Sequence, residues 1–376
     1  MAVDARAKAL VAQGVDIVNL TAGEPDFDTL PAAREGGIAA IEHGFTRYTP
    51  TPGIPELREA IAKKLKDDNG LEYKAAQVVV SNGAKQSIYN ALMVLLDPGD
   101  EVVIPAPAWV SYPEMVRLAG GVPVMVDTQP DQYRLDAKAL AAAITPRTKV
   151  ILLNNPCNPT GVVYTDAELR MVAELAEKND LFVISDEIYE KLTYGAEFIS
   201  IASLGPEILN RTVTVNGFSK AYAMTGWRMG YAAASLQIAD AMSSFQSQCT
   251  SGASSISQRA ALAALKADQA PVEAMRVQFD RRRRYVADRL TAMPGVHLDG
   301  LPEGAFYIFP RVDELYGKEI HGSVKFAEAL LEKARVAVVP GLPFGSDRHI
   351  RLSYACSLET LTEGMNRLDA FARSLG

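Results

Sequence analysis

The chain has 376 residues, of which 48% are hydrophobic and 22% charged, and its formal net charge at pH 7 is -7. This composition is typical of a globular protein long enough for two domains, and the acidic balance argues against a nucleic-acid partner, which needs a basic face. Three cysteines and four scattered histidines predict neither a zinc site nor a disulfide framework, so a cytoplasmic, reducing location is expected. No apolar run approaches the ~18 residues of a membrane helix.

Strand-like and helix-like segments alternate through the first two-thirds of the chain. An N-terminal helix and a short strand at 17–20 come first. Short apolar runs then predict buried strands at 78–80, 102–104, 122–126, 150–153, 181–184 and 213–215. Helical periodicity lies between them at 84–96, 112–119 and 167–178. This alternation predicts an α/β fold with a mostly parallel sheet and right-handed crossovers.

The pattern changes after residue 229. Helices are predicted at 236–266, 271–293, 324–333 and 358–375, with a mixed segment at 305–309 and strands at 336–339 and 350–354. These elements predict a smaller α+β unit, with which the first ~35 residues are expected to pack.

Four arginines at 281–284 fall within the predicted helix 271–293. Consecutive residues point around a helix, so we interpret the run as a solvated segment rather than a phosphate or partner site.

Polar clusters follow several predicted strands, which is where ligands gather in open α/β sheets. Residues 81–86 (S-N-G-A-K-Q) open a helix, and small residues at a helix N-terminus favour an anion such as phosphate. The alternative there is an ordinary capped turn. Residues 154–161 (N-N-P-C-N-P-T-G) predict a rigid, non-helical loop that could aim an Asn amide at a ligand, with a plain turn as the alternative.

Two further clusters place charge in apolar surroundings. In residues 185–189 (S-D-E-I-Y), Asp186 ends a buried strand and needs a cation, with Tyr189 beside it. The alternative is a helix cap. Arg351 interrupts an apolar alternating strand and needs a carboxylate partner, supplied either by a ligand or by a structural ion pair.

Lys220 is the most informative residue. It lies in a turn after the run 213–215, with Arg228 eight positions later. A lysine becomes a nucleophile when burial or nearby cations lower its pKa, whereas most lysines are solvated. Together these residue types match what pyridoxal phosphate (PLP) needs. They supply an amine to form an imine, a carboxylate to hold a pyridinium proton, a phenol and an amide to bind a ring oxygen, and a cradle for the phosphate. The sequence therefore predicts PLP as the cofactor.

The chain resembles the fold-type I, class I aminotransferases, most closely their bacterial aspartate aminotransferase branch. The motifs N-P-x-N-P-T-G, S-D-E-x-Y and S-K-A-Y-A-M-T-G-W-R occur in this order, and the resemblance runs from 21–27 (T-A-G-E-P-D-F) to 351–355 (R-L-S-Y-A). It implies a large PLP-binding domain of residues 34–275 around a mostly parallel seven-stranded sheet flanked by helices. It also implies a small α+β domain formed by residues 1–33 and 276–376.

The resemblance further implies roles for the cofactor residues. Lys220 would form the Schiff base and later shuttle the substrate proton. Asp186 would keep the pyridine nitrogen protonated, and Tyr189 and Asn158 would hydrogen-bond the ring oxygen. The remaining implied contacts come from Trp109 on the ring and, on the phosphate, from Gly83, Ala84, Ser219, Arg228 and, across a homodimer interface, Tyr48 of the neighbouring subunit.

Substrate contacts are implied as well. Arg351 would clamp the α-carboxylate bidentately, Gly23 would leave room for it, and Trp109 and Asn158 would border the same site. In this branch a lysine in G-x-K-Q, here Lys85, is associated with the side-chain carboxylate of aspartate or glutamate. A solvated lysine in the first helical turn is the alternative.

The implied activity is ping-pong transamination between aspartate and 2-oxoglutarate. Because a fold does not determine function, an aromatic, prephenate or alanine aminotransferase or a C–S lyase is an alternative, and a non-catalytic ligand-binding regulator is a more distant one. Family members usually carry two to three dozen residues before the segment that matches 2–5 (A-V-D-A), and these cover the mouth of the site. Met1 stands where such an extension would already have ended, so either the start is truncated or the lid is absent. A competent cofactor site is therefore expected, with the efficiency and the substrate range left open.

Overall fold

A computed structural model describes residues 2–129 and 132–375, with side chains from residue 5 onward. The outer bounds of the predicted small domain, Met1 and Gly376, lie outside the described residues. Its helices are α1 (Ala2–Ala12), α2 (Pro31–Glu42), α3 (Pro55–Asn69), α4 (Ala84–Leu95), α5 (Ser111–Leu118), α6 (Ala137–Ala143), α7 (Asp166–Lys178), α8 (Pro206–Arg211), α9 (Leu236–Cys249), α10 (Ser255–Lys266), α11 (Ala270–Thr291), α12 (Gly322–Ala334) and α13 (Leu358–Leu375). Its strands are β1 (Val18–Asn19), β2 (Val78–Ser81), β3 (Glu101–Ala106), β4 (Val122–Asp127), β5 (Thr148–Asn154), β6 (Phe182–Asp186), β7 (Thr212–Gly217), β8 (Gly230–Ala233), β9 (Tyr307–Ile308), β10 (Val336–Ala337), β11 (Val339–Pro340) and β12 (Ile350–Ser353).

One seven-stranded sheet organises the structure, in the order β2-β8-β7-β6-β5-β3-β4. Strand β8 is antiparallel to β2 and β7, and the other pairs are parallel. The predicted α/β class and the mostly parallel seven-stranded sheet are confirmed. The apolar runs predicted six of these strands and missed β8, because its sequence G-Y-A-A lacks the β-branched residues that mark a strand.

The register of the central strands positions the polar clusters. Asn154 at the end of β5 pairs with Asp186 at the end of β6, and Asp186 pairs with Val215 on β7. Since carboxyl ends of parallel strands share one edge of a sheet, the loop after β5, the end of β6 and the turn after β7 meet there.

Elements from both chain ends pack together beside this edge. Val18 on β1 pairs in parallel with Val336 on β10, and Leu20 and Leu368 lie in one buried cluster. The predicted strand 336–339 is wrong as one element, because β10 pairs with β1 while β11 joins β12 and β9 in a separate sheet. The division at 33/34 and 275/276 stays a prediction, and its second boundary falls inside α11.

The predicted helix 236–266 is also wrong as one element. It divides into α9 and α10, since Ser251 has a φ of +57° and Ser254 caps α10 by accepting a hydrogen bond from the amide of Ser257.

The arginine run at 281–284 does point around α11 as predicted, but it is not solvated throughout. Arg283 is buried, pairs with Asp280 and donates to the carbonyl of Pro302.

Two findings apply to the described residues only. None of their helices is both long and apolar enough to cross a membrane. They also contain no group of three or more His, Cys, Asp or Glu side chains placed to hold a metal ion.

Candidate active site

A cavity of about 290 Å³ opens at the carboxyl edge of the central sheet. Its lining includes most of the predicted site residues: Gly23, Ala84, Lys85, Trp109, Asn158, Asp186, Tyr189, Ser219, Lys220, Arg228 and Arg351. It also includes residues for which the sequence predicted no role: Tyr112, Asn154, Ile188 and Tyr307. Gly83 is next to the cavity, at the N-cap of α4.

Lys220 lies just past β7, in the turn predicted from the sequence. Its Nζ donates to the carbonyl oxygen of Gly23 at 2.5 Å. Burial lowers the pKa of Lys220 to about 8, and Arg351 acts in the same direction, against the opposing pull of Glu24 and Asp186. With this pKa roughly a tenth of the amine is uncharged at pH 7, and the uncharged form is the one that a nucleophile or general base requires.

Asp186 ends β6 and is buried. Its Oδ2 accepts from the Tyr112 hydroxyl at 2.7 Å, and its Oδ1 accepts from the Ile188 amide at 3.2 Å. Burial raises the pKa of Asp186 to about 6, although both hydrogen bonds and Lys220 favour the charged form. The carboxylate thus lies where a cationic ligand group would stabilise it.

Glu187 faces a separate buried polar cluster beside the site. Its Oε1 accepts from Ser185 Oγ at 2.9 Å and from Ser200 Oγ at 2.7 Å, while Oε2 has no partner in the described part of the chain. Burial raises the pKa of Glu187 to about 8, and Glu190 adds to this while Lys64 opposes it. The folded protein therefore holds a proton on Glu187 that the unfolded chain releases at much lower pH.

This proton makes stability depend on pH. Between the ordinary glutamate pKa of about 4.3 and the folded value, unfolding releases the proton, so stability falls as pH rises, by at most about 1.4 kcal/mol per pH unit. Glu187→Gln removes this loss. We expect the difference in melting temperature between the variant and wild type to shift in favour of the variant as the pH rises from 5 to 8. A difference that stayed constant across this range would contradict the assignment.

Two phenols lie against each other in the wall of the cavity. The hydroxyls of Tyr189 and Tyr307 are 3.0 Å apart. Burial raises the pKa of both phenols, so both are neutral at physiological pH. The Arg351 guanidinium lies over the Tyr307 ring, 4.2 Å from its centroid. Tyr307 was missed because it falls in an apolar segment that reads as plain core.

Arg351 projects from β12 and is also buried. Its Nη1 donates to Asn158 Oδ1 and its Nη2 to the Thr21 carbonyl oxygen, each at 3.0 Å. Its Nε has no hydrogen-bond partner among the described residues. Asn158 is itself held by its amide, which donates to Asn154 Oδ1 at 2.8 Å. Buried donors left over on a guanidinium fork are suited to a carboxylate.

The N-terminus of α4 and Arg228 form a cationic cradle. Gly83 has a φ of +89°, and a Cβ there would lie 2.5 Å from Arg228 Nη2. Arg228 Nη1 donates to the Thr225 carbonyl oxygen at 2.7 Å, which fixes the guanidinium beside the helix end. Amides at a helix N-terminus with an adjacent cation make an anion site. Glycine suits position 83 because of its positive φ and because a side chain there would meet the arginine.

Lys85 and Trp109 border the cavity on another side. Lys85 Nζ lies 4.7 Å from the centroid of the Trp109 ring. Burial lowers the pKa of Lys85, and Arg228 adds to this. Tyr48 is different, since 99% of its surface is exposed and it does not line the cavity of its own chain.

Comparison with known proteins identifies the family. The family model described as aminotransferase class I and II matches residues 15–368. The chain belongs to the class I and II aminotransferases. The aspartate aminotransferase of Bacillus sp. strain YM-2 is 46% identical to this aminotransferase, over 99% of this chain and 96% of the relative. A probable aspartate/prephenate aminotransferase of Aquifex aeolicus is 47% identical, over 98% and 94% of the two chains. The structure of Thermus thermophilus aspartate aminotransferase with maleate is 45% identical, with a TM-score of 0.93 over 99% of this chain and 95% of that one.

The aminotransferase uses PLP, and the residues of the cavity fit this cofactor. A buried carboxylate that forms no salt bridge with any described residue ends β6, and an amine with a lowered pKa follows β7. The cradle at Gly83 and Arg228 suits a phosphate. Neutral phenol and amide donors lie on the same cavity. Transamination with this cofactor, between amino acids and oxo acids, is the activity of the protein.

Proposed function

We propose that this aminotransferase moves the amino group of aspartate to 2-oxoglutarate in two half-reactions. The observation that carries the proposal is a cavity in which two cationic side chains, Arg351 and Lys85, remain besides the phosphate cradle and Lys220, the residue assigned to the cofactor. A dicarboxylic substrate has one carboxylate for each. The relatives named aspartate aminotransferase, one of them solved with the dicarboxylate maleate, support this choice.

Residues on the sheet edge would hold the cofactor. Lys220 would attach it through Nζ, and Asp186 would hold a proton on the pyridine nitrogen. Asn158 uses its Oδ1 to accept from Arg351, so its Nδ2 would be the end that donates to the ring oxygen, together with the Tyr189 hydroxyl. Trp109 would contact the ring, and Gly83, Ala84, Ser219 and Arg228 would bind the phosphate.

Bound PLP supplies an electron sink next to the substrate Cα. The proton at that Cα is moved by Lys220 Nζ, whose lowered pKa of about 8 leaves an uncharged amine to accept it. Arg351 orients the substrate through its α-carboxylate, and Gly23, which has no side chain, leaves the space beside it. These contacts hold the Cα–H bond in a fixed position relative to the amine.

The role of Lys85 is tested by selectivity. Lys85→Ala should lower kcat/KM for aspartate by about 10²-fold, because the side-chain carboxylate loses a charged partner, while alanine, which has no such group, should change by less than about threefold. Half-reaction rates with both amino acids measure this. Lys85→Arg is the matched control and should retain much of the preference. Equal losses for aspartate and alanine would show that Lys85 does not select the substrate.

Prephenate transamination is a second candidate, favoured by the Aquifex aeolicus relative named for both activities. A Lys85 contact would suit a carboxylate of either substrate. Adding arogenate and phenylalanine to the same assay separates the candidates. Activity with arogenate that falls in Lys85→Ala would favour this second function.

We also propose a cytoplasmic homodimer in which Tyr48 contacts the phosphate in the neighbouring subunit. The nearly complete exposure of this large side chain in its own chain supports a role across an interface. A monomer mass in light scattering would contradict the proposal. The large domain of residues 34–275 and the small domain of residues 1–33 and 276–376 remain the proposed division.

A further inference from the structure

Tyr307 contacts both ends of the proposed chemistry without having a role in it. Its hydroxyl is 3.0 Å from that of Tyr189, and its ring lies under Arg351 at 4.2 Å. Only 1% of its surface is exposed. A Cβ on Gly23 would lie 3.4 Å from its hydroxyl oxygen, so the phenol reaches the carboxylate side of the cavity as well.

The two phenols have two protons and one shared hydrogen bond. Both are neutral, so each hydroxyl has one proton to donate. If Tyr189 directs its proton at the ring oxygen of the cofactor, the proton between the two hydroxyls must come from Tyr307. A hydroxyl that accepts a hydrogen bond becomes a stronger donor in its own bond, and this cooperativity is larger in a buried site.

We propose that Tyr307 is a positioning residue that donates its hydroxyl proton to Tyr189 and supports the Arg351 guanidinium on its ring. It thereby ties the donor at the cofactor ring to the clamp for the substrate carboxylate. This inference rests on the proposed roles of Tyr189 and Arg351. The hydroxyl and the ring have separate tasks, so substitutions can separate them.

The hydroxyl is tested by Tyr307→Phe, which leaves the ring under Arg351 in place. The measurement is the pH midpoint of the visible absorbance of the bound cofactor, which reports the proton on the nitrogen joined to Lys220. A hydrogen bond to the ring oxygen favours the form that has lost this proton. Weakening the Tyr189 donor should therefore raise the midpoint, by about 0.5 pH unit.

Two comparisons make this result specific. In a Tyr189→Phe background, adding Tyr307→Phe should shift the midpoint no further, because the group through which it acts is gone. Tyr354→Phe is the matched control, since it removes a fully buried hydroxyl that donates to the Ala305 carbonyl in the same apolar cluster but does not line the cavity. It should leave the midpoint unchanged.

The ring is tested by Tyr307→Leu, with maleate as an unreactive dicarboxylate probe. Losing the aromatic face beneath the guanidinium should weaken maleate binding about 10-fold, whereas Tyr307→Phe should weaken it less than about threefold. Phe344, whose ring centroid is 5.2 Å from the guanidinium carbon, keeps part of the support in both variants.

For the hydroxyl, three results would overturn the inference: Tyr307→Phe leaves the pH midpoint of the absorbance unchanged, Tyr307→Phe still shifts that midpoint in the Tyr189→Phe background, or Tyr354→Phe shifts it as much as Tyr307→Phe does. For the ring, the inference is overturned if Tyr307→Leu binds maleate as tightly as Tyr307→Phe does. These outcomes differ from a failure of the proposed site. In that case wild-type protein itself would lack an absorbance that titrates with pH, or would not bind maleate.

Discussion

Lys220→Ala is expected to lower transamination by at least about 10⁴-fold. In the proposed function one amine both attaches the cofactor and moves the Cα proton, and general acid–base catalysis alone contributes about 10²- to 10⁴-fold. The position of Lys220 favours both tasks, since burial lowers its pKa to about 8 and its Nζ lies 2.5 Å from the Gly23 carbonyl oxygen. Initial rates with aspartate and 2-oxoglutarate measure the loss, and the visible absorbance of the imine should disappear with it.

The matched control is an exposed lysine. Lys74→Ala removes the same charge from the surface, outside the cavity, and should keep wild-type rates. The amount of PLP released from each variant on denaturation shows whether cofactor is still present. A Lys220→Ala enzyme that retained more than a tenth of wild-type turnover would contradict the assignment.

The central sheet, and the meeting of the proposed cofactor residues at one of its edges, could be predicted from the sequence because both depend on local signals. Strands buried on both faces appear as β-branched runs, as for β5 and β7. Polar motifs at strand ends then meet through the parallel register, which pairs Asn154 with Asp186. Motif order along the chain was therefore sufficient to place Lys220 and Asp186 on one edge.

The parts that were missed depend on tertiary contacts. Tyr112 and Tyr307 are aromatic residues in apolar segments, and nothing local distinguishes a core tyrosine from one whose hydroxyl reaches Asp186 or Tyr189. Glu187 belongs to the S-D-E-x-Y motif, but its shifted pKa arises from burial, which periodicity does not reveal.

Arg351→Ala should lower kcat/KM about 10³-fold for aspartate and by a similar factor for alanine. Both amino acids carry the α-carboxylate, so losing its clamp cannot discriminate between them, in contrast to Lys85→Ala. Two charge-assisted hydrogen bonds are worth about 1.5–3 kcal/mol each, which corresponds to about 10²- to 10⁴-fold. The Nε without a partner in the described residues shows that Arg351 has a buried donor to offer.

Arg351→Lys separates charge from geometry. Lysine keeps the positive charge but loses the planar fork that bonds a carboxylate bidentately and also holds Asn158 Oδ1 and the Thr21 carbonyl oxygen. Its kcat/KM should therefore fall between those of wild type and Arg351→Ala. The absorbance of the bound cofactor checks that the site still forms. If Arg351→Ala reduced aspartate turnover much more than alanine turnover, Arg351 would bind the side-chain carboxylate instead, and the proposed orientation of the substrate between Arg351 and Lys85 would have to be reversed.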